Sequence, residues 1–340
     1  MDKYPFLIAE ISANHCGDFQ LAKKLIKCAK DNGANAVKLQ TYTADSMTLK
    51  LNSKNFIIKK GIWKGYRLWD LYNEAKTPLS WHKDLFKFSK INKIKIFSTP
   101  FDIEAVEFLE KLNCPMYKVA SFEMTDLPLI KRIAQTKKPI IISTGMANLD
   151  EIEETFNLVS KYNSIQNITL LYCVSNYPSK IDDFNLNNIS ILKKKFRCRI
   201  GLSDHSNDNR VAAAAVAAGA EVFEKHIGLE KQKKGLDIKF SLKGKQIKEY
   251  RKLIDFNYNL LGKNKFIRNK SENSSKIFRR SIFVIKNIKK GEKFTKNNLK
   301  SLRPSIGLEP KYLFKIINKK SPIELKKGRA LTKSIFLKIK

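Results

Sequence analysis

The sequence predicts a (β/α)8 TIM barrel followed by a small second domain. Three observations carry this. Eight short apolar runs alternate with eight helix-like stretches between Phe6 and Leu261, the unit count of such a barrel. The runs are continuously apolar rather than alternating, as parallel strands buried on both faces must be. No glycine-rich nucleotide fingerprint follows the first run, so the competing doubly wound sheet lacks its main signature.

The elements follow in order. Phe6–Ile11 precedes the helical stretch Leu21–Asp31, in which Leu21, Leu25, Ile26 and Ala29 recur at helical spacing. Asn35–Gln40 leads to Ser80–Ile91, Ile94–Ser98 to Asp102–Leu112, and Met116–Ala120 to Leu127–Gln135. Pro139–Ser143 leads to Leu149–Lys161, Ile168–Cys173 to Leu186–Lys195, Arg199–Ser203 to Asp208–Ala218, and Glu221–His226 to Gly244–Leu261. One connection is long: Thr41–Thr77, which carries Trp63, Tyr66, Trp69 and Tyr72. A loop of that length in a compact domain is usually functional. The barrel thus occupies 1–262, the polar stretch 263–276 reads as a linker, and 277–340 forms a small domain opening with the strand-like SIFVI.

Composition narrows the function classes. No stretch approaches the roughly 18 apolar residues of a membrane span, and Met1–Glu10 lacks the cleavage site of a signal peptide. Five scattered cysteines without a CxxC argue against a disulfide framework and a structural zinc site, and predict a cytoplasmic protein with free thiols. The net charge of +34 has two readings. One is a nucleic-acid-binding protein. The other, favoured here, is biased composition, because Lys, Asn and Ile are over-used together and the basic residues are spread along the chain. A basic surface still attracts an anionic substrate.

Barrel chemistry is built at the C-terminal ends of the strands, and here every strand ends in polar side chains. In order these are Glu10, Asn14 and His15; Lys38 and Gln40; Ser98 and Thr99; Lys118, Ser121 and Glu123; Ser143 and Thr144; Ser175 and Tyr177; Ser203, Asp204 and His205; and Glu224, Lys225 and His226. His205 and His226 end adjacent strands, so their imidazoles can converge on a divalent metal with positions left for water and substrate. Two buried structural histidines are the plainer alternative. His82, within a helix, reads as structural or surface. Lys38, Lys118, Ser121, Ser143, Thr144 and Ser203 suit an anion cradle. Lys118 equally suits a Schiff-base lysine of a pyruvate aldolase. Glu10, Glu123, Glu224 and Asp237 are carboxylates available to orient a hydroxylated substrate or to move protons.

The runs IAEISANHCGD, AVKLQTYT, FSTPFD, YKVASFE, IISTGM, GLSDHS and EKH resemble the sialic acid synthase (N-acetylneuraminate synthase-like) family throughout the barrel. SIFVIKNIKKGEKFT and LRPSIG resemble that family's C-terminal antifreeze-like (SAF) domain. The long loop, through TYTADSMTL and NFIIKKGIWKGYRLWDLYNEAKTPLSWH, is most similar to the pseudaminic acid synthase branch. The resemblance implies a metal-dependent condensation of phosphoenolpyruvate with 2,4-diacetamido-2,4,6-trideoxy-L-altrose, giving a nine-carbon 2-keto acid and phosphate. N-acetylneuraminate or legionaminate synthesis is the alternative within the family. It also implies roles. Catalytic residues would be Glu10, Glu123, His205 and His226, with the two histidines holding a divalent metal, Mn²⁺ first and Co²⁺, Mg²⁺ or Zn²⁺ as alternatives. Phosphoenolpyruvate would meet Lys38, Thr99, Lys118, Ser121, Ser143, Ser175 and Ser203. The sugar would meet Glu10, Tyr177, Glu224, Asp237 and, from the small domain of a domain-swapped homodimer partner, Arg303.

Overall fold

The computed structural model describes residues 4–263 and 265–339. The ends of the two predicted domains (residues 1–3 and 340) and one linker position, Asn264, lie outside the described residues. The chain divides into two compact units, Met1–Gly262 and Lys263–Lys340.

The first unit is a closed parallel barrel. Its strands are β1 (Phe6–Glu10), β2 (Ala36–Thr41), β3 (Lys95–Pro100), β4 (Tyr117–Val119), β5 (Ile140–Ser143), β6 (Ile168–Cys173), β7 (Arg199–Asp204) and β8 (Val222–Gly228). Each pairs in parallel with the next, and β8 pairs back onto β1 with Ile8 opposite Glu224 and Glu10 opposite His226. The expected strands and helices are all present, displaced by no more than two residues at their ends.

Eight helices cover the barrel: α1 (Phe19–Asp31), α2 (His82–Ile91), α3 (Ile103–Lys111), α4 (Leu127–Gln135), α5 (Leu149–Ser160), α6 (Asn187–Phe196), α7 (Arg210–Ala218) and α8 (Lys245–Leu261). Several begin where a short polar side chain satisfies the free N–H groups of the first turn. Asp18 accepts from Gln20 and Leu21, Asp102 from Ala105, and Asp126 from Leu129. Asn148 and Glu151 form a reciprocal capping box on α5. Each such cap contributes about 1 kcal/mol. The helices bury their apolar stripes on the strands; α1, for example, turns Ala22, Leu25, Ile26 and Ala29 inward, all with no exposed surface.

Strand alternation decides which polar residues face the barrel interior. Lys38 points inward, while its neighbour-but-two Thr41 points out into a buried chain with Ser98 (2.6 Å) and His82 (2.8 Å). Lys225 likewise points outward, pairing with Asp204 at 3.1 Å between the strands and α8, where Tyr250 donates to the same carboxylate. Ser98, Asp204 and Lys225, read from sequence as strand-end candidates, therefore belong to the barrel's outer packing. His82 is structural, its Nδ1 3.2 Å from the Pro78 carbonyl. Asn14 and His15 also serve packing: Asn14 donates to the Ile227 carbonyl and to Ser241, and the His15 ring packs edge-on against Trp81.

The long connection after β2 is not structureless. It holds a four-residue helix, Ala44–Met47, and an eight-residue helix, Leu68–Ala75. Trp69 Nε1 donates to Asp45 at 2.7 Å, tying one helix to the other.

The second unit is built on an antiparallel pair, β10 (Ser281–Val284) and β11 (Leu299–Leu302), the short β9 (Leu242–Lys243) having closed the first unit against β8. It has its own small core, including Ile282, Val284, Ile288, Phe294 and Leu325. Part of the predicted linker is ordered: Lys270–Phe278 winds into an exposed 3₁₀ helix.

Candidate active site

The inward-facing strand residues converge into a buried polar floor. Lys38 forms an ion pair with Glu10, reaches Thr99 Oγ1 at 3.2 Å, and lies 3.8 Å from Glu224. Lys118 Nζ donates to Ser143 Oγ at 2.6 Å and to the Val119 carbonyl at 2.8 Å, with Glu224 4.0 Å away. Ser203 donates to Glu224 at 2.9 Å. Two lysines face two glutamates, so the floor is internally neutral. Two of the four carboxylates read from the sequence at this mouth, Glu10 and Glu224, thus lie against the lysines.

The four charges hold one another. Burial alone would raise the Glu224 pKa, but Lys118, Lys38 and the Ser203 hydroxyl win and bring it down to about 2. Burial opposes the charge on Lys38, and the Glu10 and Glu224 carboxylates outweigh it, so its pKa is raised. Lys118 goes the other way: burial lowers its pKa, and Glu224 offsets only part of that. A lowered lysine pKa also suits a Schiff base. Yet Lys118 is directed at two protein acceptors and a carboxylate, the posture of an ammonium rather than of an amine aimed at a carbonyl.

Beside the floor is a cluster of small groups. Ser121 Oγ lies 2.9 Å from Cys173 Sγ, which lies 3.7 Å from Ser175 Oγ. Gly145, at φ +45°, packs against them; a Cβ there would fall 2.4 Å from the Ser121 Cβ and 3.0 Å from the Ser175 hydroxyl. Only glycine leaves those hydroxyls in place.

Above them opens a cavity of about 330 Å³ whose lining includes Gln40, Glu123, Tyr177, His226 and Asp237. Glu10, Lys38, Lys118 and Glu224 lie beneath it, engaged with one another. The Glu123 carboxyl is pushed up to about 7 by burial, and its shielded Oε2 accepts no hydrogen bond. Tyr177 packs on His205 with ring centroids 4.5 Å apart.

His205 and His226 stand side by side, ring centroids 5.5 Å apart, with Phe240 edge-on to both. His205 Nδ1 is 3.2 Å from the Val174 carbonyl. That contact makes Nδ1 the protonated nitrogen and leaves the Nε2 lone pair free. Burial pushes the His205 pKa down to about 3, so the ring is neutral. His226 Nδ1 is 3.4 Å from both Asp237 and Ser12, and Ser12 itself donates to Asp237 at 2.6 Å. Both rings thus carry the outer-shell partner that fixes a metal-binding histidine. Among the described residues no third His, Cys, Asp or Glu joins them in a ligand cluster. The donor set fits a divalent ion with open positions.

Asp237 is placed by the loop after β8. Gly235, at φ +142°, lets that loop approach Asn14, whose Oδ1 would lie 2.5 Å from any Cβ. Arg303 is exposed in the second unit, just after β11. Ser12 and Phe240 are not among the residues the sequence marks, whereas Trp63 is, on the long connection after β2. Ser12 follows Glu10 by two, a spacing that could have marked it.

Comparison with known proteins shows the family of the chain. Residues 25–265 match the NeuB family and residues 279–336 match the SAF domain. The chain is 42% identical to a pseudaminic acid synthase of Campylobacter jejuni, over 98% of this chain and 97% of the relative. It is 39% identical to an N,N'-diacetyllegionaminic acid synthase of the same species, over 90% and 92%. Among solved structures, a spore coat polysaccharide biosynthesis protein E from Chromobacterium violaceum superposes with a TM-score of 0.81 at 25% identity, covering 97% of this chain and 99% of that one. With its strand-end residues gathered at one barrel mouth and its sequence matched from end to end, the chain belongs to the NeuB family and carries that family's barrel and a SAF domain.

Proposed function

We propose that this chain is a pseudaminic acid synthase, condensing phosphoenolpyruvate with 2,4-diacetamido-2,4,6-trideoxy-L-altrose to give a nine-carbon 2-keto acid and phosphate. The observation that supports it most is the layering of the mouth. Lys38 and Lys118 lie in a buried floor, the His205 and His226 rings stand side by side above them, and an aromatic chamber opens beyond.

In this reading C3 of phosphoenolpyruvate attacks the aldehyde carbon of the open-chain sugar. A C–C bond forms, the aldehyde oxygen takes a proton, and an oxocarbenium centre is left at C2. Water adds at C2, and phosphate leaves with its bridging oxygen by C–O cleavage. His205 and His226 would hold a divalent metal through their Nε2 atoms, which when bound polarises the aldehyde as a Lewis acid. Lys38, Thr99, Lys118 and Ser143 bind the carboxylate and phosphate, with Ser121, Ser175 and Ser203 as further donors. Glu10 and Glu224 keep both lysines placed and are the carboxylates set nearest the reacting end of the sugar. Glu123, near half-protonated at neutral pH, positions the water and takes its proton. Tyr177 and Asp237 contact the sugar. Arg303 reaches the N-acyl group from the partner in a domain-swapped homodimer, which suits a second unit with so small a core. The reaction belongs in the cytoplasm, where phosphoenolpyruvate is available.

Phosphate release tests this. It should require phosphoenolpyruvate, the sugar and a divalent ion (Mn²⁺ before Co²⁺, Mg²⁺ or Zn²⁺). Borohydride added during turnover should leave Lys118 unmodified. A reduced adduct on Lys118 would establish the aldolase reading instead. Legionaminate synthesis is the second reading, carried by the 39% identity to a synthase of that branch.

A further inference from the structure

The wall of the cavity opposite the floor is supplied almost wholly by the long connection after β2. Met47, Ile58, Trp63, Leu71 and Ala75 line it, and Tyr42 and Tyr72 add ring faces. Tyr42 is braced edge-on by Tyr72 and by Phe101, with centroids 6.0 and 5.1 Å away. Trp63 closes this wall toward the catalytic side. Its indole Nε1 donates to the Leu236 carbonyl at 3.2 Å, next to Asp237. Its ring packs on Tyr177 at 5.5 Å, and Tyr177 packs on His205. The indole N–H is therefore spent on the protein, and what Trp63 turns to the cavity is carbon.

The geometry points to Trp63 as a specificity-determining residue that selects a sugar whose far end is a methyl group over one whose far end is a hydroxymethyl. This rests on the reading of the site as an amino-sugar site. The aldehyde must lie at the floor beside His205 and His226, so C5 and C6 extend toward the wall. There a methyl gains apolar contact. Against Trp63, Ile58, Leu71 and Ala75 a hydroxyl meets ring face and aliphatic carbon and stays unpaired, the wall's own hydroxyls being confined to Tyr42 and Tyr72. An apolar pocket of this kind rejects an added hydroxyl by up to roughly a hundredfold. The cavity's titratable and amide side chains other than tyrosines, Gln40, Glu123, His226 and Asp237, sit on the barrel side and serve the reacting end.

The test uses a matched pair of acceptors, 2,4-diacetamido-2,4,6-trideoxy-L-altrose and its 6-hydroxy counterpart, with saturating phosphoenolpyruvate and Mn²⁺. The readout is the ratio of their kcat/KM values. Wild type should prefer the deoxy sugar. Trp63→Gln should cut the ratio about tenfold or more, with the KM for phosphoenolpyruvate unchanged. Trp63→Phe, which keeps a ring and loses the N–H, should keep most of the preference while raising KM for both sugars. Ile58→Asn, on the same wall, should also lower the ratio and carries the test if the Gln variant does not fold. A wild-type ratio near one, or a ratio unmoved in Trp63→Gln and Ile58→Asn, overturns the inference and leaves the synthase reading standing. Wild type that turns over neither sugar overturns both.

Discussion

Glu123 offers a prediction that needs neither substrate nor metal. Its carboxyl sits at the cavity wall with Oε2 shielded and unpartnered, and burial pushes its pKa from an ordinary 4.5 to about 7. The folded protein therefore holds this proton more tightly than the unfolded chain does. Between the two pKa values the native state binds more protons, so stability is fully present below about pH 4.5 and falls as pH rises toward 7. At 1.36 kcal/mol per unit, the whole shift amounts to about 3 kcal/mol. About 2.5 kcal/mol of that is lost between pH 5 and pH 8. Glu123→Gln keeps the shape and removes the titration. Urea unfolding of wild type and variant at pH 5, 6, 7 and 8 gives two curves in which every other ionisation is shared. Their difference should move in the variant's favour by about 2.5 kcal/mol across that range. A difference that stays constant within about 0.5 kcal/mol would refute the argument that burial governs this carboxyl, and with it the proton-moving role given to Glu123.

The other predictions concern the metal, the barrel wall and the second unit. His205→Ala with His226→Ala should abolish stoichiometric Mn²⁺ binding measured by equilibrium dialysis, while circular dichroism stays native; retained metal would place the site elsewhere. Lys225→Met leaves Asp204 buried without its cation and should cost about 3 kcal/mol in chemical denaturation, and adding Asp204→Leu should recover much of it. No recovery in the double variant would show that the pair is not what stabilises this wall. Arg303→Ala should lower sugar kcat/KM roughly ten- to hundredfold, the loss of a charged hydrogen bond, with phosphoenolpyruvate binding little changed. Mixing it with His226→Ala should restore activity if the arginine works across a dimer, because one site then carries neither lesion. Mixed dimers that form and stay inactive would exclude the exchange.

Much of the architecture could be read directly from the chain. Continuous apolar runs such as IIIS in β5 announce parallel strands buried on both faces, and α1 shows its stripe plainly. What the chain does not reveal is phase. Near each strand end neighbouring polar residues look equally eligible, yet the two-residue alternation of a strand sends only some inward. Ser203 and Glu224 reach the floor, while Asp204 and Lys225 pair outside it. Which charges pair was hidden too, since Glu10 and Lys38 come from different strands and meet only through the register of β1 on β2. The wall of the cavity was the least visible part. Leu71 and Ala75 sit on a short helix whose apolar side faces ligand space rather than core, so periodicity had no strand or helix layer against which to place it.

The most direct test of the account is identification of the product. Purified protein with Mn²⁺, phosphoenolpyruvate labelled with ¹⁸O at the bridging position, and 2,4-diacetamido-2,4,6-trideoxy-L-altrose should give a nine-carbon 2-keto acid by mass spectrometry. The label should appear in the released phosphate, as C–O cleavage requires. The sugars that lead to legionaminic and N-acetylneuraminic acids should react far more slowly. A faster reaction with either of those sugars, or ¹⁸O retained in the organic product, would contradict it.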